Sequence, residues 1–162
     1  MTNQFADHLV HTSPDEQPLL NLLASQQRLL ISGEDTNHEF ALLEGDGQRG
    51  HTAPRHLHRN ATETFIVLEG EMLIDADGAL HEAPAGHVVL LPPRLPHSFL
   101  VVSEQARYLT MHTPAGFDAF VRDISDASRT SAPDRAVFAA IAASHGIDII
   151  GPGMRLDDHV LA

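Results

Sequence analysis

From Arg28 to His112 the chain is a succession of short apolar or alternating runs, RLLIS, EFALLE, ETFIVLEG, MLIDA, HVVLLP, HSFLVV and RYLTMH, separated by Gly, Asp, Asn and Pro. Strands of this length at this spacing predict an all-β sandwich or barrel. Turn signals stand at Gly33-Glu34-Asp35, Gly45-Asp46-Gly47, Leu68-Glu69-Gly70, Asp75-Ala76-Asp77-Gly78 and Pro84-Ala85-Gly86. Most of them are expected to close hairpins, hence antiparallel pairing. Beyond Pro114 the period changes: Phe117, Phe120, Val121 and Ile124 sit at i, i+3, i+4 and i+7, one face of a short helix. A second helix is predicted from about Pro133, with Ser131 and Asp134 as a capping box, proline in its first turn and Gly146 at its C-terminal cap. Val137, Phe138 and Ile141 give it an apolar face. Both helices are expected to pack on the outside of the β core, and Ile147–Ile150 suits a short edge strand. The expected division is an N-terminal arm over 1–27, polar at first and tied down around Leu19–Leu23, a barrel over 28–113, and C-terminal helices and tail over 114–162.

A length of 162 residues suits one domain with a sizeable core, and 43% hydrophobic with 20% charged residues is an ordinary globular balance. Ten basic residues, all arginine, stand against 22 acidic ones, a formal charge of -12. A nucleic-acid partner is therefore not expected, because phosphates are held by a basic stripe. There is no cysteine, which excludes disulfides, thiolate metal sites and cysteine nucleophiles together and leaves histidine as the soft ligand. The first residues carry no basic and apolar leader pattern, and no apolar run approaches a membrane span, so no membrane association is expected and a cytoplasmic location is.

The chain has twelve histidines. His8, His11, His145 and His159 lie in tails or at a helix end, where a solvated histidine is the expectation. His56 and His58 differ, since a spacing of two on a strand puts both imidazoles on one face, with Arg55, Leu57 and Arg59 facing the other way. Glu63 follows a polar stretch, Arg59-Asn60-Ala61-Thr62, and a hairpin there folds it back towards the pair. His97, after the rigid Leu91-Pro92-Pro93-Arg94-Leu95-Pro96 loop, is the fourth candidate. Three imidazoles and a carboxylate suit one Fe, Mn, Ni, Co, Cu or Zn ion rather than Ca or Mg. The competing reading is a metal-free core, but burying such groups without partners is costly. His51, His81, His87 and His112 are weaker candidates for touching the pocket or orienting a ligand, and His51 shares the strand parity of Arg55, so it is expected to face away.

The stretch from Gly50 to Gly70 resembles the first cupin motif, G-x5-H-x-H-x3/4-E-x6-G, at every specified position, and Gly86, Pro92 and His97 resemble the second, G-x5-P-x-G-x2-H-x3-N. Two positions depart from it: Arg94 stands at the motif's glycine and Val101 at its asparagine. The resemblance implies a cupin double-stranded β-helix, or jelly-roll barrel, with one divalent transition metal held by residues matching His56, His58, Glu63 and His97, and it implies a homodimer. The three-histidine, one-glutamate set in a small chain with a helical tail resembles the quercetin 2,3-dioxygenase-type group. That resemblance implies dioxygen-dependent opening of a flavonol or other enol- or phenol-bearing ring, with carbon monoxide released in the flavonol case. Glu63 is the candidate general base, taking a proton from the substrate hydroxyl. Strand parity offers Phe65, Val67 and Phe99 as walls for an aromatic substrate, with core packing the plain alternative; Arg94, on its loop, is a candidate contact to an anionic group, with a solvated arginine the plainer reading. Two other classes fit the same residues: a non-oxidative metal cupin (isomerase, cyclase or lyase), and a non-catalytic cupin that binds a small molecule.

Overall fold

The structure, a computed structural model, describes residues 8–159. The first seven residues of the expected arm and the last three of the tail lie outside them. Eleven strands are described: β1 Leu19–Leu22, β2 Ser25–Ile31, β3 Ala41–Gln48, β4 Arg55–His58, β5 Thr62–Glu69, β6 Glu71–Ala76, β7 Ala79–Pro84, β8 Val88–Leu91, β9 His97–Val101, β10 Gln105–Thr113 and β11 Ile147–Gly151. They form two antiparallel sheets, ordered β1-β2-β3-β10-β5-β8 and β11-β4-β9-β6-β7. Three helices follow the barrel strands or close the chain: α1 Phe117–Ala127, α2 Arg135–Ser144 and α3 Leu156–His159. The sheets already include β1 and β2, so a boundary between arm and barrel at 27/28 falls inside β2.

Only part of the turn reading survives. Asp77-Gly78 closes a hairpin between β6 and β7, whereas Leu68-Glu69-Gly70 and Pro84-Ala85-Gly86 carry the chain from one sheet to the other. Gly45-Asp46-Gly47 is no turn at all, because these residues lie inside β3. Gly45 stands directly across from Tyr108 of β10, and a Cβ there would sit 2.7 Å from the tyrosine ring; one at Gly47 would sit 2.5 Å from His51. These glycines serve close approach of side chains rather than chain reversal. Gly45→Ala is accordingly expected to cost about 1–3 kcal/mol, the usual result of overpacking a filled core. A denaturant midpoint unchanged from the parent would count against this account.

The core divides in two. Phe65, Val67, Met72, Ile74, Phe99, Val101 and Tyr108 fill the space between the sheets. Leu29 and Leu43 pack with Phe120, Val121 and Ile124 of α1 and with Phe138 and Ala142 of α2. Apolar burial of roughly 1.5–3 kcal/mol per large side chain fixes the helices there. Asp118 adds a polar anchor, its buried carboxylate accepting the Gly33 N–H at 2.8 Å and the Gly116 N–H at 3.1 Å. The face of α1 is as its spacing predicts. In α2 the cap is Asp134, which accepts the Val137 N–H at 2.8 Å; Ser131 makes no cap, Pro133 precedes the cap, and Val137 points outward. The helices also do more than cover the outer face, since Phe117, Phe120 and Phe138 reach the mouth of the barrel. β11 is the expected edge strand, and it braces β4 with Ile147 across from His58 and Ile149 across from His56.

Candidate metal centre

Strand pairing assembles the centre from both sheets. The alternation of β4 buries His56 and His58 and leaves Arg55 and Leu57 half-buried, as a two-residue spacing on a strand requires. His97, the first residue of β9, pairs directly with His56. Glu63 lies on β5, in the other sheet, so the polar stretch after His58 is a crossing between sheets rather than a hairpin. It nonetheless brings Glu63 across to the histidines. One ligand atom from each of His56, His58, Glu63 and His97 lies within 4.8 Å of the others.

Hydrogen bonds aim the rings. The Nδ1–H of His56 donates to the Pro54 carbonyl at 2.7 Å and that of His97 to the Leu95 carbonyl at 2.8 Å, so each presents Nε2 to the centre. Glu63 Oε2 accepts from His97 Nε2 at 2.9 Å and His58 Nε2 at 3.1 Å. Burial works against the Glu63 charge, but the imidazoles of His112, His58 and His97 outweigh it and hold the carboxyl well below its usual range. Burial pushes His56 down to about 3, helped by the neighbouring His97. Burial lowers His97 too, but the Glu63 carboxylate and the Leu95 carbonyl outweigh it and raise this imidazole. One anionic oxygen and oriented imidazole nitrogens, gathered in a buried place, fit a divalent transition metal. Residues His56, His58, Glu63 and His97 would hold it.

These shifts set a pH dependence for the metal-free protein. The unfolded chain protonates His56 near 6.5 and the folded protein only near 3, so its contribution is full above pH 6.5 and lost as pH falls towards 3. The loss approaches about 1.4 kcal/mol per pH unit. His97 has the opposite sign, stabilising at low pH and losing that contribution as pH rises through its raised folded value. Metal-free stability is therefore expected to peak just above pH 6.5, with His56→Asn flattening the acid limb in denaturant melts from pH 4.5 to 8. An acid slope identical in both proteins would overturn the assignment.

Beside the centre lies a cavity of about 300 Å³, reached by His56 and Glu63 and walled by Phe65, Phe99, Tyr108 and the three helix phenylalanines. Phe65 and Phe99 thus line it, while Val67 lies in the core away from it. Arg94 is exposed on the β8–β9 loop, donating from Nε to the Arg59 carbonyl, and does not reach the cavity. At the motif's glycine position it keeps a left-handed backbone, φ +67, with its N–H on the His58 carbonyl at 2.7 Å. Val101, at the asparagine position, is fully buried core.

Two histidines, His51 and His145, stand elsewhere than expected. His51 lines the cavity and packs edge-on against Phe99 at 5.4 Å, because Ala53-Pro54 breaks the strand before β4 and resets its parity. His145, expected in solvent, is bound to the Asp123 carboxylate at 2.6 Å. His112 is fully buried, its Nε2 3.3 Å from Glu63 Oε1 and its ring stacked on Phe117 at 4.1 Å. His81 meets the Ala76 carbonyl at 3.2 Å, and His87 is exposed. Burial alternates along β10, with Ala106, Tyr108, Thr110 and His112 turned inward, and this places His112 inside.

Residues 46–112 match the model of the cupin domain. Over 99 residues the chain is 27% identical to quercetin 2,3-dioxygenase of Bacillus subtilis (strain 168), which covers 61% of this chain and only 29% of that protein's length. An RmlC-like cupin from Shewanella frigidimarina NCIMB 400 superposes with a TM-score of 0.59 at 20% identity, covering 72% of this chain and 99% of that one. The polyketide cyclase RemF from Streptomyces resistomycificus superposes with a TM-score of 0.57 at 21% identity, covering 65% and 80%. The two antiparallel sheets, the two histidine-bearing segments and the cupin-domain match over residues 46–112 together make the chain similar to a small cupin of the quercetin 2,3-dioxygenase-type group.

Proposed function

We propose that the protein is a metal-dependent dioxygenase that opens a flavonol-like or other enol- or phenol-bearing ring with dioxygen. One observation carries the reading: a buried, anionic Glu63 stands where the candidate metal ligands meet a cavity walled by aromatic rings. The partial likeness to a quercetin 2,3-dioxygenase supports it. The bound metal would supply a Lewis-acidic seat for the substrate oxygen and for dioxygen. Phe65 and Phe99 flank the ring, and the phenylalanines of α1 and α2 limit water at the reacting end. Glu63 accepts the proton of the enol hydroxyl from its buried place beside the histidine ligands. His56 stays neutral at every working pH, with its Nε2 free for ligation.

The same base in the same cavity serves a non-oxidative proton transfer, and only dioxygen dependence separates the two. Protein reconstituted separately with Fe, Mn, Co, Ni and Cu, and given a flavonol, is expected to consume oxygen with at least one metal and not without it. Carbon monoxide release is the matching product signal. Bound metal with no oxygen uptake on any flavonol would overturn the reading in favour of a non-oxidative or ligand-binding cupin.

A further inference from the structure

We propose that His112 is a positioning residue that fixes the orientation of the Glu63 carboxylate at the metal centre. The inference rests on Glu63 being a ligand, and it does not depend on which reaction follows. His112 and Glu63 are direct cross-strand partners on β10 and β5, so the backbone register sets their meeting. The two carboxylate oxygens are treated differently. Oε2 is taken by His58 and His97, both of which belong to the ligand set, whereas Oε1 faces His112 at 3.3 Å. When the imidazoles of His58 and His97 turn their Nε2 atoms to an ion, His112 is the imidazole left to hold Glu63 from behind.

The ring itself is committed to that task. It is fully buried, and neither nitrogen has a well-aligned hydrogen bond, an expensive condition for an imidazole unless a partner moves into line. Glu63 Oε1 is the polar group at hand for Nε2. Phe117 of α1 lies parallel to the imidazole, with 12° between the planes, and blocks it from swinging away. A small cavity of about 200 Å³ is lined by His58, His112 and Phe117. A carboxylate held by one oxygen through a fixed imidazole offers its other oxygen in one direction, as partners of metal ligands commonly require.

The decisive experiment separates hydrogen bonding through Glu63 from packing. Affinity for Co(II) is measured by chelator competition in five proteins, wild type, His112→Phe, Glu63→Gln, the double variant and, as a control, His112→Gln, and their metal-free melting temperatures are compared. His112→Phe keeps an aromatic ring against Phe117 but no donor, and it is expected to weaken Co(II) binding about 10- to 100-fold. His112→Gln keeps an N–H near the Nε2 position and is expected to recover most of that affinity. In the Glu63→Gln background His112→Phe is expected to change little. An equal loss in both backgrounds, or none in either, overturns the proposal, and so does failure of His112→Gln to recover affinity while melting like wild type. If His112→Phe does not fold, His112→Gln alone decides: its visible Co(II) spectrum should match wild type, and a spectrum like that of Glu63→Gln overturns the assignment. Because binding is read without turnover, these outcomes stand even if no flavonol is consumed.

Discussion

Glu63→Gln is expected to lower metal-dependent oxygen uptake with a flavonol by about 100- to 10,000-fold, the range usually lost with a general base. The substitution keeps the shape of the side chain and removes its charge. Oε2 now accepts from His97 at 2.9 Å and from His58 at 3.1 Å, and Oε1 faces His112 at 3.3 Å. An amide offers one acceptor and one donor in place of two acceptors, so one of these imidazoles must give up its contact or change tautomer. More important, a carboxamide takes no proton at neutral pH. The enol then keeps its hydroxyl proton, and the electron-rich form that reacts with dioxygen is depleted. His56, His58 and His97 still offer three nitrogens, so at saturating metal the variant is expected to carry an ion. That separates loss of the base from loss of the ligand: a variant that holds metal and has lost its rate supports the base role. Wild-type uptake in the metal-loaded variant would sink it, and a wild-type protein that turns over an enol substrate without oxygen would favour the non-oxidative reading.

What the sequence made legible follows from how local the governing physics is. His56 and His58 were placed on one face because a two-residue spacing on a strand leaves no other choice, and the structure buries both. The helix face of Phe120, Val121 and Ile124 followed from its 3.6-residue period in the same way. Gly45 and Gly47 read as a turn in the sequence because a glycine required for close approach to Tyr108 and His51 looks identical there to one required for a left-handed backbone. The Tyr108 contact is made by a residue far along the chain. Strand parity carried through Ala53-Pro54 puts His51 on the wrong face, because the strand is interrupted there. His112 stayed faint since its strand, with Leu109 and Met111 on one face and Tyr108 and Thr110 on the other, has no apolar alternation to reveal which face turns inward. Arg94 drew attention as a cation near the barrel mouth, yet its left-handed backbone directs it to the Arg59 carbonyl instead.

His56→Ala is expected to lower metal affinity by well over the roughly 100-fold that loss of an orienting partner can cost, and to leave the dialysed protein near background metal. His56 sits at the junction that defines the centre: its backbone pairs with that of His97, its ring lies 4.3 Å from the His97 ring, and its Nδ1–H is spent on the Pro54 carbonyl. Only Nε2 remains, and it points to where the other three ligands meet. Alanine removes that nitrogen and leaves space that water can occupy, so binding falls back to two imidazoles and one carboxylate. The fold is expected to survive, because the imidazole is neutral in the folded protein and β4 keeps its backbone pairing to β11. A protein with twelve histidines also binds metal loosely at its surface, which makes the control important. His87→Ala removes an exposed imidazole far from any ligand role and is expected to retain the full, chelator-resistant ion. Metal that resists a chelator equally in His56→Ala and in wild type would remove His56 from the ligand set, and with it the strand geometry on which the centre is built. Loss in both variants would instead show that the retained metal sits on surface histidines. Loss in His56→Ala alone, with melting unchanged, places the ion where β4, β5 and β9 converge.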